Sequence, residues 1–143
     1  MMRFLPWFIF LLLVGGGFYY LNRGLFSTGV SSGRAVNSGA VIVESPKPDT
    51  LLTSPLTITG RALGTWFWEA SFPILLVDAN DKILGTTLAE AQGDWMSKAH
   101  VNFQAKLEFK QPATNTGALV FKKDNPSGLP ENDAALEVPV RFK

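Results

Sequence analysis

The chain has 143 residues, of which 46% are hydrophobic and 17% are charged, and its formal net charge is +1. This length suits one domain with an appendage, and the apolar fraction is large enough for a core. Cysteine is absent, which excludes disulfides, cysteine-ligated metals and a lipoprotein anchor. Residues 1–38 hold Arg3, Arg23 and Arg34 and no acid, so the remainder carries ten basic and twelve acidic side chains. That balance argues against nucleic-acid binding.

The N-terminal part contains eighteen uncharged residues, 4–21. As a helix rising about 1.5 Å per residue, this run would just cross a bilayer core of about 30 Å. Trp7 lies near one end and two tyrosines lie near the other, where aromatic belts form. We therefore expect residues 1–22 to be an uncleaved transmembrane anchor with its N-terminus inside. The alternative is a cleaved signal peptide, which shares the charged start and apolar middle.

Both alternatives place the rest of the chain outside the cytoplasm, at the cell surface or in the periplasm. Residues 23–39 are rich in glycine and serine and lack apolar periodicity. They are predicted to be a flexible linker, because this composition cannot build a core. The predicted domain is residues 40–143.

That domain is predicted to be all-β, with about seven short strands separated by turn signals. The predicted strands are residues 40–44, 56–62, 66–78, 82–89, 100–110, 117–123 and 136–143. Asp and Asn residues at 78–81 predict a hairpin. Pro139 predicts an edge position for the last strand, where a partner strand would add. Such a strand series, with a tryptophan on an early central strand, is typical of an immunoglobulin-like sandwich.

The aromatic stretch 66–78 is the predicted central strand. If it is straight, alternation places one set of side chains on the core face, namely Trp66, Trp68, Ala70, Phe72, Ile74 and Leu76. Phe67, Glu69 and Ser71 then face the other way, so that Phe67 is the best outward aromatic. Pro73 has no N–H for a ladder and predicts a bulge or a change of sheet.

Several stretches are familiar as an ordered set: residues 54–62, 64–73, 93–96, 124–128 and 138–140. Together they resemble the immunoglobulin-like domain associated with bacterial spore-germination proteins, and the resemblance covers residues 41–142. It implies an extracytoplasmic, non-catalytic module of the bacterial cell envelope, and we expect no cofactor. We therefore expect a membrane-tethered module, held through residues 4–21, that interacts with a protein or glycan of the envelope.

The candidate binding residues are Phe67, Trp68, Glu69 and Trp95. Together with Trp66, these aromatics would suit stacking against sugar rings, although aromatics at strand spacing also fill sandwich interiors. Glu69 between aromatics would suit a general acid, with Asp78 or Asp94 as partner, in a cell-wall glycan-processing enzyme. The competing interpretation is a carboxylate bonded to turn amides or paired with Arg61.

An oxygen-rich loop follows the sixth predicted strand and comprises Asp124, Asn125, Pro126 and Gly128. It is predicted to be a structural turn, in which Asp and Asn bond to nearby backbone amides. The alternative is a calcium site completed by Glu131 or Asp133. His100 is the only histidine, so a histidine-based metal centre or triad would depend on it alone. We expect it to be exposed, and we predict no metal site.

Overall fold

The computed structural model describes residues 36–143, so the predicted anchor lies outside the described residues. Within 36–143 no helix has the length and apolar character needed to span a bilayer. The strands are β1 (Val36–Asn37), β2 (Val41–Ser45), β3 (Leu56–Leu63), β4 (Ser71–Asp78), β5 (Ile83–Ala91), β6 (His100–Leu107), β7 (Thr116–Lys122) and β8 (Ala135–Arg141). Two single 3-10 turns, Gly64–Trp66 and Pro130–Asn132, complete the elements. The predicted all-β fold is confirmed, with seven strands of at least five residues and the short β1.

The strands form one antiparallel sheet in the order β1-β2-β3-β6-β5-β4-β7-β8. β5 and β6 pair only at Glu90 with Gln104 and at Ala91 with Phe103, so this seam joins two halves of the sheet. Both halves contribute to one buried cluster, in which Phe72 of β4 lies 5.1 Å from Phe103 of β6. The halves therefore pack face to face, as in a sandwich.

The outer edge of β8 is covered by residues 49–52, which run parallel to it. The Asp49 amide donates to the Pro139 carbonyl over 2.8 Å, and the Leu52 amide donates to the Arg141 carbonyl over 2.8 Å. The Arg141 amide donates in turn to the Thr50 carbonyl. The last strand does lie at the end of the sheet order, as Pro139 predicted, but the chain itself occupies the edge where we expected a partner strand.

The predicted alternation holds in β3 and β6, where apolar side chains turn inward at every second position. The predicted hairpin is also present between β4 and β5. Its turn is fixed by Asp78, whose Oδ1 accepts hydrogen bonds from the amides of Asn80 and Lys82 at 2.8 and 2.9 Å. These two bonds satisfy a carboxylate that is otherwise removed from solvent.

The aromatic stretch is not one straight strand, because β4 begins only at Ser71. The 3-10 turn Gly64–Trp66 and a tight turn after Trp68 interrupt the two-residue period. Phe67 is consequently buried, with 4% of its surface exposed, whereas Trp68 is 50% exposed. The prediction that Phe67 is the outward aromatic and Trp68 a core residue was wrong.

Pro73 neither bulges nor breaks β4. It pairs with Leu88 of β5 in an unbroken register, and pairing with β7 begins at the next residue, Ile74. Because β4 has a neighbour on only one side at Pro73, no ladder bond is lost for want of an N–H. The register shift occurs instead at Leu76 and Val77.

The strand directions define two ends of the domain. The loop end consists of residues 64–70, 92–99 and 123–134, which connect β3 to β4, β5 to β6 and β7 to β8. The base consists of residues 46–55, 79–82, 108–115 and 142–143. β1 is antiparallel to β2 and runs toward the loop end.

Candidate functional site

The three loops of the loop end are tied to one another by backbone contacts. The Gly64 amide donates to the Ala99 carbonyl over 3.0 Å, and the Asp124 amide donates to the Trp66 carbonyl over 3.0 Å. Gly64 also leaves no room for a side chain, because a Cβ there would overlap the Ser97 carbonyl oxygen. The loops therefore form one connected surface rather than three independent segments.

A tight turn presents Trp68 at this surface. Trp68 and Ser71 exchange backbone hydrogen bonds of 2.9 and 3.1 Å, and the two residues between them, Glu69 and Ala70, have φ values of 49° and 64°. Positive φ at both central residues is the pattern of a type I′ turn, which normally contains Asn-Gly. Residues with a Cβ pay about 1–2 kcal/mol each for this conformation. The domain thus maintains a strained turn directly beside an exposed tryptophan.

The other predicted aromatics pack inward. Trp66 and Phe67 both meet the ring of Phe72 edge-on, with centroids 5.8 and 5.1 Å away. Trp95 is half-buried and packs against the same core. Of the four aromatics considered for a stacking platform, Trp68 alone has a largely exposed side chain.

The loop end exposes apolar side chains and an excess of carboxylates. Met96 is 79% exposed, and Leu129 on the third loop is also exposed. The three loops carry five carboxylates and two cations, which are Glu69, Asp94, Asp124, Glu131, Asp133, Lys98 and Lys123. A partner that binds here would meet apolar contacts within a negative potential.

The arrangement does not favour the carboxylate pair of a glycosidase. Glu69 is exposed and precedes β4, whereas Asp78 ends it. An eight-residue strand spans about 23 Å, and catalytic carboxylates lie at most about 10 Å apart. Asp94 uses Oδ1 to accept the Met96 amide at 3.0 Å. Arg61, the predicted ion-pair partner of Glu69, instead lies 3.5 Å from Glu44.

The loop from Asp124 to Asp133 is held together by its own side chains. The Asn125 amide nitrogen donates to the Leu129 carbonyl at 2.8 Å and to Asp133 Oδ1 at 2.7 Å. Ser127 Oγ accepts from the Leu129 amide and lies beside Asn125 Oδ1. Gly128 adopts a φ of 67°, which suits glycine.

No group of three or more His, Asp or Glu residues in 36–143 is placed to hold a metal ion. His100 is exposed, as predicted, and its Nε2 lies 3.0 Å from the Gly39 carbonyl oxygen.

A shallow cavity of about 420 Å³ opens along the seam between β5 and β6. Its lining comprises Thr87, Leu88, Glu90, Gln92, Gln104, Ala105 and Lys106. Thr87 Oγ1 donates to the Lys106 carbonyl at 2.9 Å and links the two strands where their backbone pairing stops. Sequence reasoning missed this cavity, because nothing in either strand's pattern shows where two neighbours separate.

A family model described as the immunoglobulin-like domain of bacterial spore germination matches residues 40–129. No curated protein and no solved structure matches the chain. The matched segment runs from β2 through β7 and includes Trp68, Trp95 and the Asp124 turn. The family is one of immunoglobulin-like domains rather than a known enzyme family. The match covers more than half of the chain, and the strands form a sandwich, as this kind of domain requires. The chain therefore belongs to the immunoglobulin-like domain family of bacterial spore germination.

Proposed function

We propose that this chain is a non-catalytic, membrane-tethered module outside the cytoplasm that recognises a protein or glycan of the bacterial envelope through its loop end. The observation that carries the proposal is Trp68, exposed on a turn whose two central residues, Glu69 and Ala70, have positive φ. Glycine or asparagine at these positions would relieve the strain without changing the path of the chain. Backbone strain next to an exposed aromatic side chain is typical of a recognition site.

The chemistry of the loop end supports contact with a partner rather than catalysis. An exposed tryptophan offers a large rigid surface for a sugar ring or an apolar side chain. Met96 adds a second exposed apolar group on the neighbouring loop, and methionine adapts its shape to different partners. The carboxylates around them are dispersed over the three loops.

The direction of β1 supports the same arrangement. The predicted anchor precedes β1, and β1 runs from the base toward the loop end. In this arrangement the loops point away from the membrane. Trp68 would then be available to an envelope component.

The test is a pulldown from solubilised bacterial envelopes, with the full chain in mild detergent as bait, together with co-sedimentation on isolated peptidoglycan. Trp68→Ala is the variant. Leu88→Ala is the matched control, because Leu88 is 52% exposed, about as much as Trp68, but lies on β5 beside the seam cavity.

A defined protein or glycan bound by the parent and by Leu88→Ala but lost by Trp68→Ala would support the proposal. Equal capture by all three proteins would refute the loop end as the binding surface. Loss with Leu88→Ala alone would move the site to the seam cavity. If neither the envelope extract nor peptidoglycan yields a partner, the recognition function itself fails.

A further inference from the structure

The base of the domain contains a second cavity, with a composition unlike the loop end. It measures about 350 Å³ and is lined by Leu52, Thr53, Ser54, Phe109, Lys110, Gln111, Pro112 and Phe142. The rings of Phe109 and Phe142 are 6.2 Å apart and form part of its wall, and the Phe109 amide donates to Ser54 Oγ at 3.1 Å. Lys110 is exposed. An apolar wall with a cation and hydroxyls beside it suits an anionic amphiphile.

The charges at the base differ from those at the loop end. Its cations are Lys47, Lys82, Lys110 and Lys143, and its carboxylates are Asp49, Asp81 and Glu108. The base therefore carries a net charge of +1 and the loops carry −3. A negatively charged surface attracts the base and repels the loop end.

Two exposed aliphatic side chains lie at the base or directly beside it. Leu51 on the segment beside β8 and Ile83 at the start of β5 are both exposed. Surfaces that combine lysine and arginine side chains with exposed aliphatic groups bind the headgroup layer of a bilayer. The aliphatic groups insert into the layer, and the cations contact lipid phosphates.

The first described strand, β1, runs from the base side toward the loop end. The uncharged run 4–21 precedes β1. A base that faces the bilayer anchoring that run would bring these cations to the lipid headgroups.

We propose that the base docks on anionic phospholipid headgroups of the anchoring membrane, with Lys110 and the Phe109 and Phe142 cavity at the contact, and so holds the loop end outward. This inference rests on the proposed membrane tether. It assigns a role to cations and a cavity that the proposed recognition surface does not use.

The absence of cysteine allows a direct test, because any introduced cysteine is the only one in the chain. The full chain would be reconstituted in vesicles of phosphatidylcholine, with or without phosphatidylglycerol, that contain a lipid with a quencher on its headgroup. Gln111→Cys places a fluorophore at the base cavity, and Met96→Cys places it at the loop end. Both native side chains are exposed, so labelling should leave the core intact.

We expect quenching at position 111 to exceed that at position 96 by at least about twofold in vesicles with phosphatidylglycerol, and to fall in phosphatidylcholine alone or in high salt. Lys110→Glu, made in the Gln111→Cys background, should reduce the quenching. Lys98→Glu makes the same charge change at the loop end and should leave it unchanged.

Flotation of the same vesicles separates the two proposals. If the chain does not float with the vesicles after high-salt washing, the tether itself fails. If it floats but the two positions are quenched equally, or position 96 more strongly, the docking of the base is refuted while the tether stands. If the quenching at position 111 changes neither with phosphatidylglycerol nor with Lys110→Glu, the role of anionic headgroups is refuted.

Discussion

Replacing Phe67 with alanine should remove much of the domain's stability, whereas the same change at the next residue, Trp68, should remove little. Phe67 is buried and meets Phe72 edge-on at 5.1 Å. Truncation of a buried phenylalanine costs about 3–5 kcal/mol, against a total stability of about 5–15 kcal/mol for a small domain. Trp68 has half of its surface in solvent, and we expect its truncation to cost less than about 1 kcal/mol.

Urea unfolding of the full chain in mild detergent, followed by circular dichroism, would measure both costs. With a slope of about 1.5 kcal/mol/M, Phe67→Ala should lower the midpoint by about 2–3 M and Trp68→Ala by less than about 0.7 M. The two residues are adjacent, so each variant serves as the control for the other. Equal losses, or a larger loss at Trp68, would refute the turn geometry that separates them.

Two glycine substitutions test the loop end further. Ala70→Gly should raise the free energy of unfolding by about 0.5–1.5 kcal/mol, because Ala70 has a φ of 64°. The control, Ala62→Gly within β3, should lower the free energy of unfolding. If both substitutions lower it, the result would count against the strained turn. Gly64→Ala should cost about 1–3 kcal/mol, because its Cβ would overlap the Ser97 carbonyl oxygen. Gly93→Ala on the same surface has open space around it and should change the midpoint little; similar losses in both would contradict the packing at Gly64.

The sequence predicted the regular strands well because their physics is local. In β6 every inward position from Val101 to Leu107 is apolar and every outward one is polar, so a two-residue period was sufficient. The hairpin after Asp78 was also predicted, since its turn residues bond to their own backbone.

The candidate site was harder to predict because its geometry depends on residues without a turn signature. Glu69 and Ala70 are unusual at positive φ, and nothing in the sequence marks them as the centre of a turn. The 3-10 turn and this tight turn take residues 64–70 out of the strand, so Trp66 and Phe67 are both buried and Trp68 is exposed. Two short turns without a sequence signature therefore reversed the assignment of the exposed aromatic.

The segment 49–52 was missed for a different reason. Its neighbours Pro48 and Pro55 mark a break in secondary structure, and its pairing with β8 depends on a partner almost a hundred residues away. A local sequence pattern does not indicate contacts between residues so far apart in the chain. The position of β8 at the end of the sheet order could be predicted, because Pro139 itself indicates it.

The covered edge of β8 also bears on how many copies of this domain can be crowded together. An open sheet edge invites strands from neighbouring molecules and seeds aggregation. Here Asp49, Thr50 and Leu52 occupy backbone groups of Pro139 and Arg141, and the proline offers no donor of its own. At the opposite end of the sheet, the described part of β1 comprises Val36 and Asn37. We therefore expect the β8 edge to resist strand addition when many copies of the domain lie close together.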